Sequence, residues 1–500
     1  METLPESVKM KMENPESDSK IPTLSDYEVY QKICAASKPK SGVPGDLPRR
    51  LVSEFAPELA TPVCIIFNHI LRSAEQGAVK WPTTWKQELG IPLQKVADPQ
   101  TEDDLRIISL TPFFSKVLER FVVNWLMAYI GNHIDPKQFG GLKGNSINHY
   151  IIELINFILY NQDFNLPIAV LACTVVFSKA FNRQNHNLLI LKLSEMGVPG
   201  WLLNVVSGFL LDRSMVVKYK GVTTESKNLP GGGPQGTLLG LLLFLVLVNQ
   251  CGFEANECDI GEKITVPKGK FQPGTLHMKY VDDLTIAESI DLKETLVENE
   301  NRPLPDPYHS RLGLKLPEEK SMVYDQINKI HAFANENEMR MNFSKTKFII
   351  FNPASSYDFQ PGLTVGKNDL EYVDKMKLLG LTLTSDLKWK ENTVEMIKKA
   401  NKKLWMLKRL KKNGASLDDL KDVYCKQVRS ILEFGVPVWN CGLTQEEIID
   451  IERVQKSFLY IALGNAYHGY GDALEIMQLE TLEDRRSNLS KSFALKALKH

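Results

Sequence analysis

A chain of 500 residues with 43% hydrophobic and 24% charged side chains is ordinary globular protein, long enough for several domains, which excludes a wholly disordered or fibrous chain. Its 60 basic residues balance 60 acidic ones, so the overall charge announces no polyanionic partner and any such surface must be local. The seven cysteines are scattered, odd in number and free of any CxxC, which points away from a zinc module or disulfide framework and toward reduced intracellular thiols.

Residues 1–23 are rich in Pro, Ser and Glu and read as a flexible tail, not as a signal peptide. A basic Gly/Pro loop, Lys38 to Pro48, leads into a helical period through Leu51, Phe55, Leu59, Val63, Ile66 and Ile70. A short strand, Leu89 to Leu93, precedes Lys95; Arg106 to Thr111 and a helix from Pro112 to about Ile130 follow. Taken singly, Lys95 and Arg106 read as solvated charges. Gln138 to Ser146 is a Gly-rich loop before a helix, but it lacks the order of a P-loop.

Ile168 to Phe177 is a buried strand running into Ser178-Lys179-Ala180-Phe181-Asn182. Two helices, near 185–196 and 200–211, and a hairpin around Gly221 come next. Gly231-Gly232-Gly233-Pro234-Gln235-Gly236-Thr237 opens an apolar helix whose run Leu238 to Val248 is too short to span a bilayer. Glycines there allow close backbone approach, and the helix start offers free N–H groups to an anion. A plain glycine-rich turn fits the same letters.

The chain's focus is Lys279-Tyr280-Val281-Asp282-Asp283-Leu284-Thr285, which reads as a β-hairpin with two adjacent acids at its tip. An Asp-rich turn is the bland alternative. The sharper one is a polymerase palm: Mg²⁺ takes oxygen ligands, and a pair of ions about 3.5–4 Å apart activates a 3′-hydroxyl and stabilises pyrophosphate as it leaves. A helix near 318–338 follows, then a strand at 345–351 and a hairpin from Met376–Leu383 to Leu387–Trp389. Residues 375–412 hold twelve Lys/Arg against three acids. Within them Val394, Ile397, Leu404, Leu407 and Leu410 keep helical spacing and leave Lys398, Lys399, Lys402, Lys403 and Arg409 on the other face. Such a face is either solvated or laid along a phosphate backbone. From 416 onward the chain is mostly helical and ends inside what reads as a continuing helix.

These pieces, in this order, resemble the reverse transcriptase domain of non-LTR, LINE-type, jockey-like retrotransposons, over roughly residues 25–500. The resemblance rests on Arg106 to Thr111, Phe177 to Phe181, Pro234 to Gly240, Tyr280-Val281-Asp282-Asp283, Ser344 to Lys347 and Leu378-Leu379-Gly380 together. It implies an α+β right hand: fingers with part of the palm at 24–165, palm at 166–370, primer grip and basic thumb helix at 371–415, and a truncated helical region at 416–500. It implies an RNA template, a DNA primer or target, deoxynucleoside triphosphates, two Mg²⁺ ions with Mn²⁺ as a substitute, and action in the nucleus. By the same resemblance Asp282 and Asp283 are the hairpin's metal-binding carboxylates. Lys345 lies near the leaving pyrophosphate, Lys95 and Arg106 grip the triphosphate, Phe181 sits under the sugar, and Gln235 and Gly236 support template and nucleotide.

One departure dominates. Where the family has Asp before Phe-Ser-Lys-Ala-Phe, this chain has Val176, which offers no ligand oxygen. Gly233 also replaces an apolar residue and Leu241 a proline. The expectation is a reverse transcriptase by descent with little or no activity; a non-catalytic nucleic-acid-binding protein and a decayed element copy are the alternatives.

Overall fold

The computed structural model describes residues 4–15, 19–36, 42–77, 79–162, 168–178, 184–229, 231–251, 274–291, 321–351 and 363–499. Phe181 and residues 292–320 lie outside these.

Two sheets organise the described chain. The first has β1 (Gln87–Gln94), β2 (Leu105–Leu110), β4 (Arg213–Tyr219), β5 (Val222–Thr223) and β6 (Lys227–Leu229), in the order β2-β1-β4-β5 with β6 also on β4. The second runs β13-β10-β3-β8-β7, built from β3 (Ile168–Ser178), β7 (Thr275–Tyr280), β8 (Asp283–Asp291), β10 (Lys347–Phe351) and β13 (Glu371–Tyr372), with β9 (Arg340–Met341) also on β3. Two small ribbons pair β11 (Thr364–Val365) with β12 (Asn368–Asp369), and β14 (Lys375–Leu378) with β15 (Leu381–Thr384). The described chain is therefore a mixed α+β fold.

The second sheet is buried on both faces, which is why β3 reads as an unbroken apolar run. Strand alternation splits its side chains. Ala169, Leu171, Cys173, Val175 and Phe177 enter one core, with helices Phe113–Ile130, His186–Glu195, Gly200–Leu210 and Leu238–Val248. Val170 and Ala172 enter a second core, shared with helices Ile147–Gln162, Lys390–Lys412 and Gln445–Leu463. The site forms where this second face runs past the edge of its core.

Three expectations need correction. The first stretch is not a loose tail throughout: Glu6–Glu13 is a helix whose Val8 and Met12 are buried, and Asn204 Nδ2 donates to the Met12 carbonyl at 2.8 Å. Of the period Leu51, Phe55, Leu59, Val63, Ile66 and Ile70, Val63 and Ile70 are buried and Leu59 is half-buried, but Leu51, Phe55 and Ile66 are exposed, because a break at Phe55 turns the helix Ala56–Arg72 to bury Ala60, Val63, Cys64, Phe67, Ile70 and Leu71. The hairpin after 375 turns at Leu379-Gly380, not after Leu383: both residues have positive φ, 47° and 94°, as a two-residue turn between twisted strands requires.

Glu119 is fully buried near the start of the helix Leu238–Val248, where Leu239 N donates to it at 3.4 Å. Burial pushes its carboxyl up to about 7, against a partial offset from Arg213 and that N–H group. A raised carboxyl adds stability that is full below its unfolded value of 4.5 and lost as pH climbs through about 7. Glu119→Gln is therefore expected to melt with the unmodified chain near pH 4.5 and several degrees above it at pH 8. Parallel melting curves at all pH values would contradict this.

Candidate active site

The hairpin forms as its sequence requires, with a two-residue turn. Tyr280 pairs with Asp283 across Val281-Asp282, so Asp282 sits in the turn and Asp283 begins β8. The register then fixes the neighbours of Asp283. Val176 is directly opposite it, Thr174 opposite Thr285, and Lys347 opposite Thr174 on the far side. Paired residues share a face with Cβ atoms about 4.5–5.5 Å apart, so Val176 presents its methyl groups beside the Asp283 carboxylate. The turn before β10 is tied to the same residue: Asn342 N donates to the Val176 carbonyl at 2.8 Å.

Thr174, Val176, Asp282, Asp283 and Lys347 line a cavity of about 700 Å³. Arg106, Lys345, Lys347, Lys375 and Lys377 face it, against the acids Asp282, Asp283 and Glu395. Burial raises the Asp283 carboxyl to about 6, and the adjacent Asp282 adds to the rise; Arg106 and Lys345 oppose it. Burial raises Asp282 as well, again against Arg106 and Lys345. Two neighbouring acids held out of water in this way favour a cation. Glu395 is otherwise engaged, with Lys377 at 3.6 Å and Lys399 at 3.8 Å. Among the described residues no three His, Cys, Asp or Glu side chains converge as a metal cage would need. Asp282 and Asp283 are thus the two acids of this cavity that the hairpin turn brings together.

The other sequence candidates are distributed. Arg106 and Lys345 share the acids' cavity, whereas Lys95 is exposed on the β1–β2 connection and is not among its lining residues. Gln235 lines a second cavity, of about 780 Å³, with Ile107 and Ser109. Alternation along β2 sends Arg106 to one cavity and its neighbour Ile107 to the other. The Gln235 carbonyl accepts from Ser109 N at 2.8 Å, and Gly236, at φ 114°, lies against the same strand. The Gly233 departure has a partner: a Cβ there would meet Gln184 Oε1 at 2.4 Å, so the buried Gln184 occupies that space. Phe181 is outside the described residues.

The basic helix runs Lys390–Lys412 and buries Met396, Ala400, Leu404 and Leu407. Lys398, Lys399, Lys402, Lys403 and Arg409 are exposed, as is Trp405, whose ring lies 4.5 Å from the Arg409 guanidinium. Lys398, Lys402, Trp405 and Arg409 follow at helical spacing from Glu395, which faces the acids' cavity, so the stripe leads away from it. Trp405, Lys347, Lys375 and Lys377 escaped the sequence reading. The alternation Lys375-Met376-Lys377-Leu378 was the available signal for two of them.

Three comparisons complete the picture. The family described as "Reverse transcriptase (RNA-dependent DNA polymerase)" matches residues 96–383. The RNA-directed DNA polymerase from mobile element jockey of Drosophila melanogaster is 22% identical over 476 residues, 92% of this chain and 46% of that protein. The probable RNA-directed DNA polymerase from transposon BS of the same organism is 22% identical over 446 residues, 88% of this chain and 44% of that protein. The chain therefore spans less than half the length of these relatives. A telomerase structure from Candida albicans aligns with 80% of this chain and 65% of its own at 13% identity and a TM-score of 0.36.

Proposed function

The chain belongs to the reverse transcriptase family, of the non-LTR retrotransposon type, and on that premise we propose that it is an RNA-directed DNA polymerase whose palm lacks one metal-binding carboxylate. The observation that carries this reading is the pairing of Val176 with Asp283 on the face that holds both hairpin acids. Asp282 and Asp283 would hold a divalent ion, Mg²⁺ or Mn²⁺, which when bound supplies activation of a primer 3′-hydroxyl and charge for the departing pyrophosphate. Arg106 and Lys345 would bind the triphosphate of an incoming deoxynucleotide in this cavity, whereas Lys347, Lys375 and Lys377 are paired with Glu371, Glu391 and Glu395. Gln235 and Gly236 would support the template side, and Lys95 would meet the triphosphate only if the β1–β2 connection closes over it. Lys398, Lys399, Lys402, Lys403 and Arg409 would follow the template–primer backbone. Action in the nucleus is carried by the family alone. No helix among the described residues is long and apolar enough to cross a membrane.

A second reading, a nucleic-acid-binding protein without catalysis, has the same basic helix in its favour. The two are separated by measuring primer–template binding and single-nucleotide extension on one preparation. The proposal expects salt-sensitive binding with extension near background in the unmodified chain, and extension after Val176→Asp. Binding with no extension from either would favour the second reading.

A further inference from the structure

The glycine-rich loop Gln138 to Gly141 takes no part in the chemistry just described, yet it lies against the hairpin that carries the acids. Val281, the first turn residue, has φ 60°, a left-handed conformation that a β-branched residue adopts only when its surroundings enforce it. Its N–H group donates to Gln138 Oε1 at 3.0 Å, and the same oxygen accepts from Gly140 N at 2.9 Å. Gln138 is itself 2% exposed. On either side the two backbones pair: Phe139 N donates to the Lys279 carbonyl at 2.8 Å, and Lys279 N to the Lys137 carbonyl at 3.0 Å. The approach is close enough that a Cβ on Gly140 would lie 2.6 Å from Val281 N. Below it, the buried Lys279 ammonium reaches Asp135 at 2.8 Å and the Asn249 carbonyl at 2.6 Å.

We infer that Gln138 is a positioning residue for the hairpin acids: its side-chain oxygen holds the Val281 N–H group and thereby fixes where Asp282 and Asp283 point. The turn itself explains why such a device is needed. In a two-residue hairpin the first turn N–H has no ladder partner, so without Gln138 that donor is unpaired and the strained φ is unsupported. A glutamine supplies an acceptor without adding a third negative charge beside two raised carboxyls. Gly140 lets the loop come near enough to deliver it. The inference rests on the polymerase reading for its functional consequence, but not for the hydrogen bond.

The test has two arms. Amide hydrogen exchange on the unmodified chain should find the Val281 and Gly140 N–H groups protected, although one sits at a turn tip and the other in a glycine loop. Gln138→Met, which keeps the length and removes the acceptor, should speed both by at least about tenfold. In the Val176→Asp background, Gln138→Met should raise the Mg²⁺ concentration for half-maximal extension by at least about tenfold, with primer–template affinity unchanged. A merely structural residue would lower the melting temperature and affect binding and extension together. Unprotected exchange at Val281 in the unmodified chain would overturn the inference, and so would an unaltered Mg²⁺ dependence in Gln138→Met. If Val176→Asp shows no extension at all, the polymerase reading fails, while the exchange arm, which needs no activity, still decides the role of Gln138.

Discussion

Val176→Asp is expected to raise single-nucleotide incorporation by at least about a hundredfold over the unmodified chain. The estimate follows from the cost of removing one preorganised charge from the region where transition-state charge develops, about 10²–10³ in rate. The register makes the substitution local. Position 176 is already opposite Asp283, half-buried and facing the cavity, so the new carboxylate needs no shift of strand. It joins two carboxyls that already raise their pKa by burial, and for Asp283 also by mutual repulsion, so without a divalent ion the variant should melt lower than the unmodified chain. Added Mg²⁺ should reverse that loss, since an ion bound to the folded state alone stabilises it. Asp282→Asn in the same background should return incorporation to background. A gain that survives Asp282→Asn would place the chemistry elsewhere.

Replacing Lys398, Lys402 and Arg409 together by alanine is expected to weaken primer–template binding by roughly a hundred- to a thousandfold near 0.1 M salt. The slope of log affinity against log salt should flatten by about 2 to 3 units, because three counterion-releasing contacts are lost. All three side chains are exposed, and the helix is held by its buried face, so the melting temperature should hardly change. Arg409 also covers the Trp405 ring. An unchanged salt slope would return the stripe to the status of a solvated helix face. Trp405→Ala should weaken binding without altering that slope, since a stacking ring carries no charge.

Local pattern carried the fold a long way. The apolar run of β3, the two-acid hairpin and the Lys-rich amphipathic helix are each readable from a few consecutive residues, because each is set by its own period and its own turn. Long-range pairing left no such trace. Gln138 to Gly141 looks like a generic glycine loop until Lys279, far along the chain, is seen to pair with it. Gly233 looks like a defect until Gln184 is found in its space. Register was the other hidden quantity: Val176 was suspect from its position in a motif, and only the strand pairing puts it directly opposite Asp283. The turn at Leu379-Gly380 was misjudged for a local reason. The leucine at 379 takes a positive φ that its side chain disfavours, so propensity pointed past it.

On the proposed reading Asp282 and Asp283 would hold a divalent ion, and Val176 stands where a third ligand would be. Mn²⁺ titration followed by electron paramagnetic resonance, with primer–template and a deoxynucleoside triphosphate present, tests it most directly. The account predicts weak binding of at most one ion in the cavity of the unmodified chain, and two ions after Val176→Asp. Two tightly held ions in the unmodified chain, lost on Asp282→Asn, would contradict it and assign the missing ligand to another side chain.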